Sequence, residues 1–144
     1  MTNSAAIGEY DSGNVFARIL RGEAPCRKVY EDEQVLAFHD IRPEAPVHVL
    51  VIPKGKYISY DDFISSDCDI AGFFRTVGAI ARELGLHHGG YRLVTNHGKS
   101  AGQVVPHFHV HILGHPEKPL STKILTAATV RELSSPWMQV ASCR

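Results

Sequence analysis

Apolar and polar positions along this chain recur with two different periods, and the change from one to the other marks out the elements. From Asn14 the apolar residues Val15, Phe16, Ile19 and Leu20 fall on one helical face, with Asn14 placed to cap the first turn and Gly22 and Pro25 placed to end the helix. Residues 28–32 and 34–39 are short β-prone runs joined by an acidic turn at Asp32-Glu33, which predicts a hairpin. A proline-bounded connection, 40–46, leads to a third strand at 47–53, an apolar run that contains His48. The polar stretch that follows holds a helical turn at 61–64. The longest helix comes next, with Ile70, Phe73, Phe74, Val77, Ile80, Ala81 and Leu84 spaced three and four apart, Asp67 or Asp69 at its cap and Gly85 at its stop. Residues 90–96 and 105–113 read as the fourth and fifth strands. The expected fold is α+β, an antiparallel sheet of about five strands packed with one long and one short helix. Residues 1–12 read as a variable leader, 13–116 as the domain and 117–144 as a tail of unknown role in which 126–133 could form one more short helix.

The fifth strand carries chemistry as well as structure. In Pro106-His107-Phe108-His109-Val110-His111-Ile112-Leu113-Gly114 three of the nine histidines occupy alternate positions. Alternation on a strand puts His107, His109 and His111 in one row, roughly 6–7 Å apart at the backbone, and Phe108, Val110 and Ile112 in the other. Such a row suits a metal site, or acid–base and nucleophilic chemistry by a group that titrates near neutrality, or simply a solvated face. No acidic or cysteine partner stands within the motif, so metal is the runner-up. Between the last two strands, residues 96–103 form a loop with two glycines, Gly98 and Gly102, and an amide at each end, Asn96 and Gln103. A loop of this composition can aim backbone N–H groups at an anion, and it can equally be a plain connection.

Composition narrows the picture by exclusion. With 144 residues, 15 Lys plus Arg against 15 Asp plus Glu and a formal net charge of zero, the chain offers no electrostatic case for nucleic acid or for an anionic membrane. Its 44% hydrophobic and 21% charged residues are those of an ordinary globular domain. The three cysteines, Cys26, Cys68 and Cys143, are too far apart for a C-x-x-C pair, which points to a reducing, cytoplasmic setting. The longest apolar run is too short to span a bilayer, and the first residues do not read as a signal peptide.

Taken together the residues resemble the histidine triad (HIT) family, whose signature His-x-His-x-His followed by two apolar residues is matched by His107-Phe-His109-Val-His111-Ile-Leu. Asn14-Val-Phe-Ala-Arg-Ile-Leu-Arg-Gly-Glu-Ala-Pro, the run from Val35 to Lys54, and Gly90-Tyr-Arg-Leu-Val are similar to its nucleotide-binding HINT branch, so the likeness extends from about residue 11 to 114. It implies a HIT-like fold and a hydrolase that cleaves the bond to the α-phosphate of purine nucleoside phosphoramidates or related conjugates. His109 matches the family nucleophile, which forms a covalent nucleotidyl-histidine. His111 matches the residue that contacts the phosphate and leaving group, where a protonated ring would supply a proton, while His107 and His48 match supporting histidines. Asp40 matches the carboxylate that holds the ribose hydroxyls. Val15, Phe16, Ile19, Phe38, Ile41 and Leu50 match the walls of the base pocket, and Asn96, Gly102 and Gln103 match the phosphate loop. The resemblance also implies a homodimer, a purine nucleotide as the partner, and no cofactor.

Three departures qualify the likeness. Val104 stands where several relatives carry a Ser or Thr that contacts phosphate, which leaves only its backbone N–H to serve. Gly114-His115-Pro116 replaces the usual Gly-Gly-Arg in a region that shapes substrate choice in the family. The cysteine pair with which some bacterial relatives hold a structural zinc is absent around residues 15–18, so no metal is expected. Two other functions stay in view: a dinucleoside polyphosphate hydrolase, whose branch keeps all three histidines, and a nucleotide-binding or protein-interaction module with little turnover.

Overall fold

The acidic turn closes the predicted hairpin because Asp32 turns its carboxylate back on the chain. Its Oδ1 accepts from the N–H groups of Gln34 and Val35 at 2.7 and 2.8 Å, and its Oδ2 accepts from the Tyr30 hydroxyl at 2.6 Å. In the computed structural model, which describes residues 8–116, this hairpin starts an antiparallel sheet. Its strands are β1 (Lys28–Glu31), β2 (Val35–His39), β3 (Val47–Pro53), β4 (Tyr91–Val94) and β5 (Val110–Gly114), and they lie in the order β1-β2-β3-β5-β4. The helices are α1 (Val15–Leu20), α2 (Tyr60–Ile64) and α3 (Ile70–Glu83). The helix predicted at 126–133 lies outside the described residues.

All seven residues of β3 are buried, and this is why its sequence reads as an apolar run rather than an alternation. Val47, Val49 and Val51 face the larger core, together with Val35 and Ala37 of β2, Val110 and Ile112 of β5, and Phe73, Val77, Ile80 and Ala81 of α3. Leu50 and Ile52 face the other way and join Leu36, Phe38 and Phe16 in a smaller cluster beneath α1. Asp69 is the cap of α3, its Oδ1 accepting from the Gly72 N–H at 2.9 Å. α1 has only 6 residues, too few to hold as a helix by itself. It is held by the Asn14 cap, whose Oδ1 accepts from the Ala17 N–H at 2.9 Å, and by the burial of Phe16. Phe16 of α1 also meets the His109 ring edge to face, and His109 and His111 line the cleft beside this helix. No helix among the described residues is long and apolar enough to cross a membrane.

The fifth strand is shorter than the alternation predicts, beginning at Val110 rather than at Val105. Pairing with β3 runs from Val47↔Gly114 to Val51↔Val110 and stops there, although β3 itself continues to Pro53. Upstream, the chain turns tightly, with the His107 N–H donating to Val105 O at 2.9 Å and the Phe108 N–H donating to Tyr57 O at 2.7 Å. His107 and His109 therefore sit on an irregular lead-in and only His111 on the regular strand.

Candidate active site

Each histidine of the row is given a different role by the groups its two ring nitrogens meet. His107 is 1% exposed, its Nε2 lies 2.8 Å from Pro53 O and its Nδ1 lies 2.6 Å from the Tyr10 hydroxyl. A carbonyl can only accept, so Nε2 carries the hydrogen and Nδ1 accepts from Tyr10. Burial pushes this imidazole down to about 4, against the Pro53 bond, with the neighbouring His109 pushing the same way. His107 is thus neutral and fully satisfied, and it does not line the cleft.

His109 is half as constrained. Its Nδ1–H donates to His107 O at 2.6 Å, which leaves the Nε2 lone pair as the reactive position. The Phe16 ring meets it edge to face, with centroids 5.0 Å apart at 90°, and the Thr95 hydroxyl donates to its carbonyl at 2.8 Å. Burial lowers its pKa, opposed by the bond to His107 O and by the Asp40 carboxylate.

His111 is oriented through His48. The Glu44 N–H donates to His48 Nδ1 at 3.1 Å, which makes Nδ1 an acceptor and puts the hydrogen on Nε2. His48 Nε2–H then donates to His111 Nδ1 at 2.9 Å, and the hydrogen of His111 stands on its Nε2. Burial pushes His111 down to about 4, with His109 and His48 adding to the effect and Asp40 opposing it. The free site therefore holds a neutral His111. Asp40 lies alongside, its Oδ1 accepting from the Arg42 N–H at 2.8 Å and its Oδ2 3.4 Å from His48 Nε2.

Asp40, His48 and His111 each offer a ligating atom within 4.8 Å of the others. They do not fit a metal as arranged, because His48 Nε2 could ligate only by moving its hydrogen to Nδ1, where it would oppose the Glu44 N–H.

A cleft of about 490 Å³ gathers most of the residues singled out in the sequence: Val15, Phe16, Ile19, Phe38, Ile41 and Leu50 on its walls, with Asp40, Asn96, Gly102, Val104, His109 and His111. Ile41 and Val104 are 89% and 88% exposed, so the rim carries apolar surface that a bound ligand would cover. Three residues are placed otherwise. His107 lies behind the site, and His48 lines a second chamber of about 500 Å³ that shares Glu44, Asn96 and His111 with the first. The Gln103 side chain turns inward, its Oε1 accepting from the Gly98 N–H at 2.8 Å and its Nε2 donating to the carbonyls of Ile58 and Val105 at 2.7 and 3.0 Å. It shapes the loop from within.

The loop itself is a 3₁₀ turn, Lys99–Ala101, between Gly98 at φ 84° and Gly102 at φ 88°, a region that side chains disfavour. The N–H of Gly102 is engaged within that turn, donating to Lys99 O at 2.9 Å. Sequence reasoning overlooked Tyr10, Thr95 and Cys26, the last of which lines the cleft, and it could not register the backbone groups of Glu44 and Pro53.

The model of the HIT domain family matches residues 21–118 of this chain. An uncharacterized 13.2 kDa HIT-like protein of Azospirillum brasilense is 55% identical over 117 residues, which cover 79% of this chain and 96% of the relative. Among solved structures, a HIT family hydrolase from Legionella pneumophila superposes with a TM-score of 0.67 at 38% identity, covering 77% of this chain and 100% of that one. A histidine triad protein from Clostridium difficile gives the same TM-score and identity over 78% of this chain and 99% of its own.

Proposed function

This chain belongs to the HIT domain family, and on that premise we propose that it hydrolyses the bond to the α-phosphate of purine nucleoside phosphoramidates or related nucleotidyl conjugates. The observation that carries the reading is His109, a buried imidazole whose Nδ1–H is fixed on His107 O, so that its Nε2 lone pair is the one available to attack. Attack at phosphorus would form a phosphorus–nitrogen bond to Nε2 and expel the amine, and the Nδ1–H bond would stabilise the imidazolium that results. Water then cleaves the nucleotidyl-histidine. The apolar walls suit a base, and Asp40 keeps acceptor capacity for ribose hydroxyls beside the contact with Arg42.

The departing amine needs a proton, and the neutral His48–His111 pair has a way to take one up as the anionic substrate enters. Protonating His111 Nδ1 would place it against the hydrogen of His48 Nε2. Asp40 Oδ2, 3.4 Å from that nitrogen, is the acceptor to which His48 can turn instead. His111 Nε2–H then faces the phosphate as an acid. The scheme uses no metal and no cofactor.

The second chamber favours one alternative, a dinucleoside polyphosphate hydrolase, because it adds about 500 Å³ beside His111 for a larger leaving group. A homodimer is part of the proposal: β4 is an outermost strand, and Leu93 on it is 47% exposed. The test is mass spectrometry of protein quenched during turnover of adenosine 5′-phosphoramidate, beside His109→Ala and a parallel assay on a diadenosine polyphosphate. A nucleotidyl adduct on His109, absent from the variant, is the expected result. A protein that binds AMP yet forms no adduct and turns over neither substrate would be a binding module instead.

A further inference from the structure

Tyr10 stands outside the cleft and ahead of the first helix, yet it reaches the histidine row. Its hydroxyl is 2.6 Å from His107 Nδ1, and the two rings meet edge to face at 5.7 Å and 70°. The residues after it are tied down: the Asn14 N–H and Nδ2–H donate to Asp11 O at 3.1 and 2.8 Å, and the Gly13 N–H donates to Asp11 Oδ1 at 2.8 Å. The tyrosine is therefore delivered by a built turn. His107 is in turn the residue whose carbonyl accepts the Nδ1–H of His109. With Pro53 O on one ring nitrogen and Tyr10 on the other, the ring of His107 has one tautomer and one orientation, in the same residue whose carbonyl holds His109.

We propose that Tyr10 is a positioning residue for the nucleophile, acting through His107 to hold His109 in the tautomer that leaves Nε2 free. The proposal rests on His109 being the nucleophile, but its structural half can be read without any turnover. Without the hydroxyl, His107 Nδ1 becomes a buried acceptor with no donor, the ring can reorient, and the hold on His109 Nδ1–H loosens. Because Tyr10 does not line the cleft, substrate binding should be spared.

The variant is Tyr10→Phe, which keeps the ring and deletes only the hydroxyl. On adenosine 5′-phosphoramidate, kcat is expected to fall about tenfold, the effect of one lost hydrogen bond, while KM stays within about twofold. In the ligand-free protein, ¹⁵N spectra of the imidazoles should show His109 as Nδ1–H alone in the native chain and as a mixture of tautomers in the variant. A His109 spectrum and a kcat that both ignore the substitution overturn the proposal. A His109 spectrum that depends on Tyr10 in a chain that turns over neither the phosphoramidate nor a diadenosine polyphosphate supports the positioning and sinks the hydrolase reading, so the two failures are distinct. Should Tyr10→Phe not fold, the native spectrum decides, because a His107 protonated at Nδ1 would show that Tyr10 does not donate to it.

Discussion

Acid should weaken this fold through His107, and the size of the effect follows from its surroundings. The imidazole is 1% exposed and its pKa is pushed from the ordinary 6.5 down to about 4. A group depressed in the folded state binds its proton in the unfolded chain first, so stability rises with pH between these two values and is lost as pH falls through them. For this one site the loss is about 1 kcal/mol at a pH of about 5.5 and about 2–3 kcal/mol at about 4.5, set against about zero above 7.5. The other depressed histidines, His39, His109 and His111, add to the acid loss, so the contribution of His107 has to be isolated by difference. His107→Gln does this. Its amide N–H can donate to Pro53 O and its amide oxygen can accept from Tyr10, copying the neutral imidazole with a group that does not titrate. Urea unfolding of both proteins across this pH range should give curves that converge in acid, with the native chain losing about 2–3 kcal/mol more than the variant by a pH of about 4.5. Parallel curves would refute the reasoning, because they would mean that His107 titrates in the folded chain as it does in the unfolded one, open to water.

Three further outcomes are expected. Asn14→Ala removes the acceptor of the Ala17 N–H at the start of α1 and should cost about 1 kcal/mol of stability in urea melts; because α1 carries Val15, Phe16 and Ile19 of the cleft, AMP titrations should also weaken. Val104→Ser restores a hydroxyl to the rim of the phosphate loop and should lower KM for the phosphoramidate by about threefold to tenfold, the scale of one exposed hydrogen bond; an unchanged KM would show that the hydroxyl has no part in binding. Leu93→Lys sets like charges along the exposed face of an outermost strand, and light scattering should then report half the native mass if β4 lies in the dimer interface.

The elements were legible where burial is one-sided and long enough to leave a period. The stripe from Ile70 to Leu84 announced α3, and Asn14 with Val15, Phe16 and Ile19 announced α1. Alternation misled at the lead-in to β5, because it reports which way side chains point and says nothing of where a partner strand stops pairing. The cleft walls were found because side-chain type carries the signal there. The groups that orient the imidazoles were not identifiable: a nucleophilic His109 calls for a carbonyl acceptor on its far nitrogen, but which carbonyl is hidden, since the Glu44 N–H, Pro53 O and His107 O belong to the backbone, which every residue type provides alike. Tyr10 has a side-chain signature, but it lies 97 residues from His107 in a stretch with no periodicity, and only the folded chain brings the two together.

Three histidines two apart look equivalent in the sequence, and what separates them is the second nitrogen of each ring. His107 has both nitrogens occupied by protein, by Tyr10 and Pro53, and can neither attack nor carry a proton to a ligand without breaking a buried bond. His109 has one held by a carbonyl, which can only accept, so its other nitrogen must be the basic one. His111 has one held by the N–H of another imidazole, which reverses the assignment and leaves its other nitrogen carrying the hydrogen. A donor and an acceptor therefore stand side by side, with ring centroids 5.1 Å apart, because one neighbour is a carbonyl and the other an imidazole N–H. That asymmetry is what two-step displacement at phosphorus asks of a pair of bases, and it would be lost if either contact were exchanged for the other.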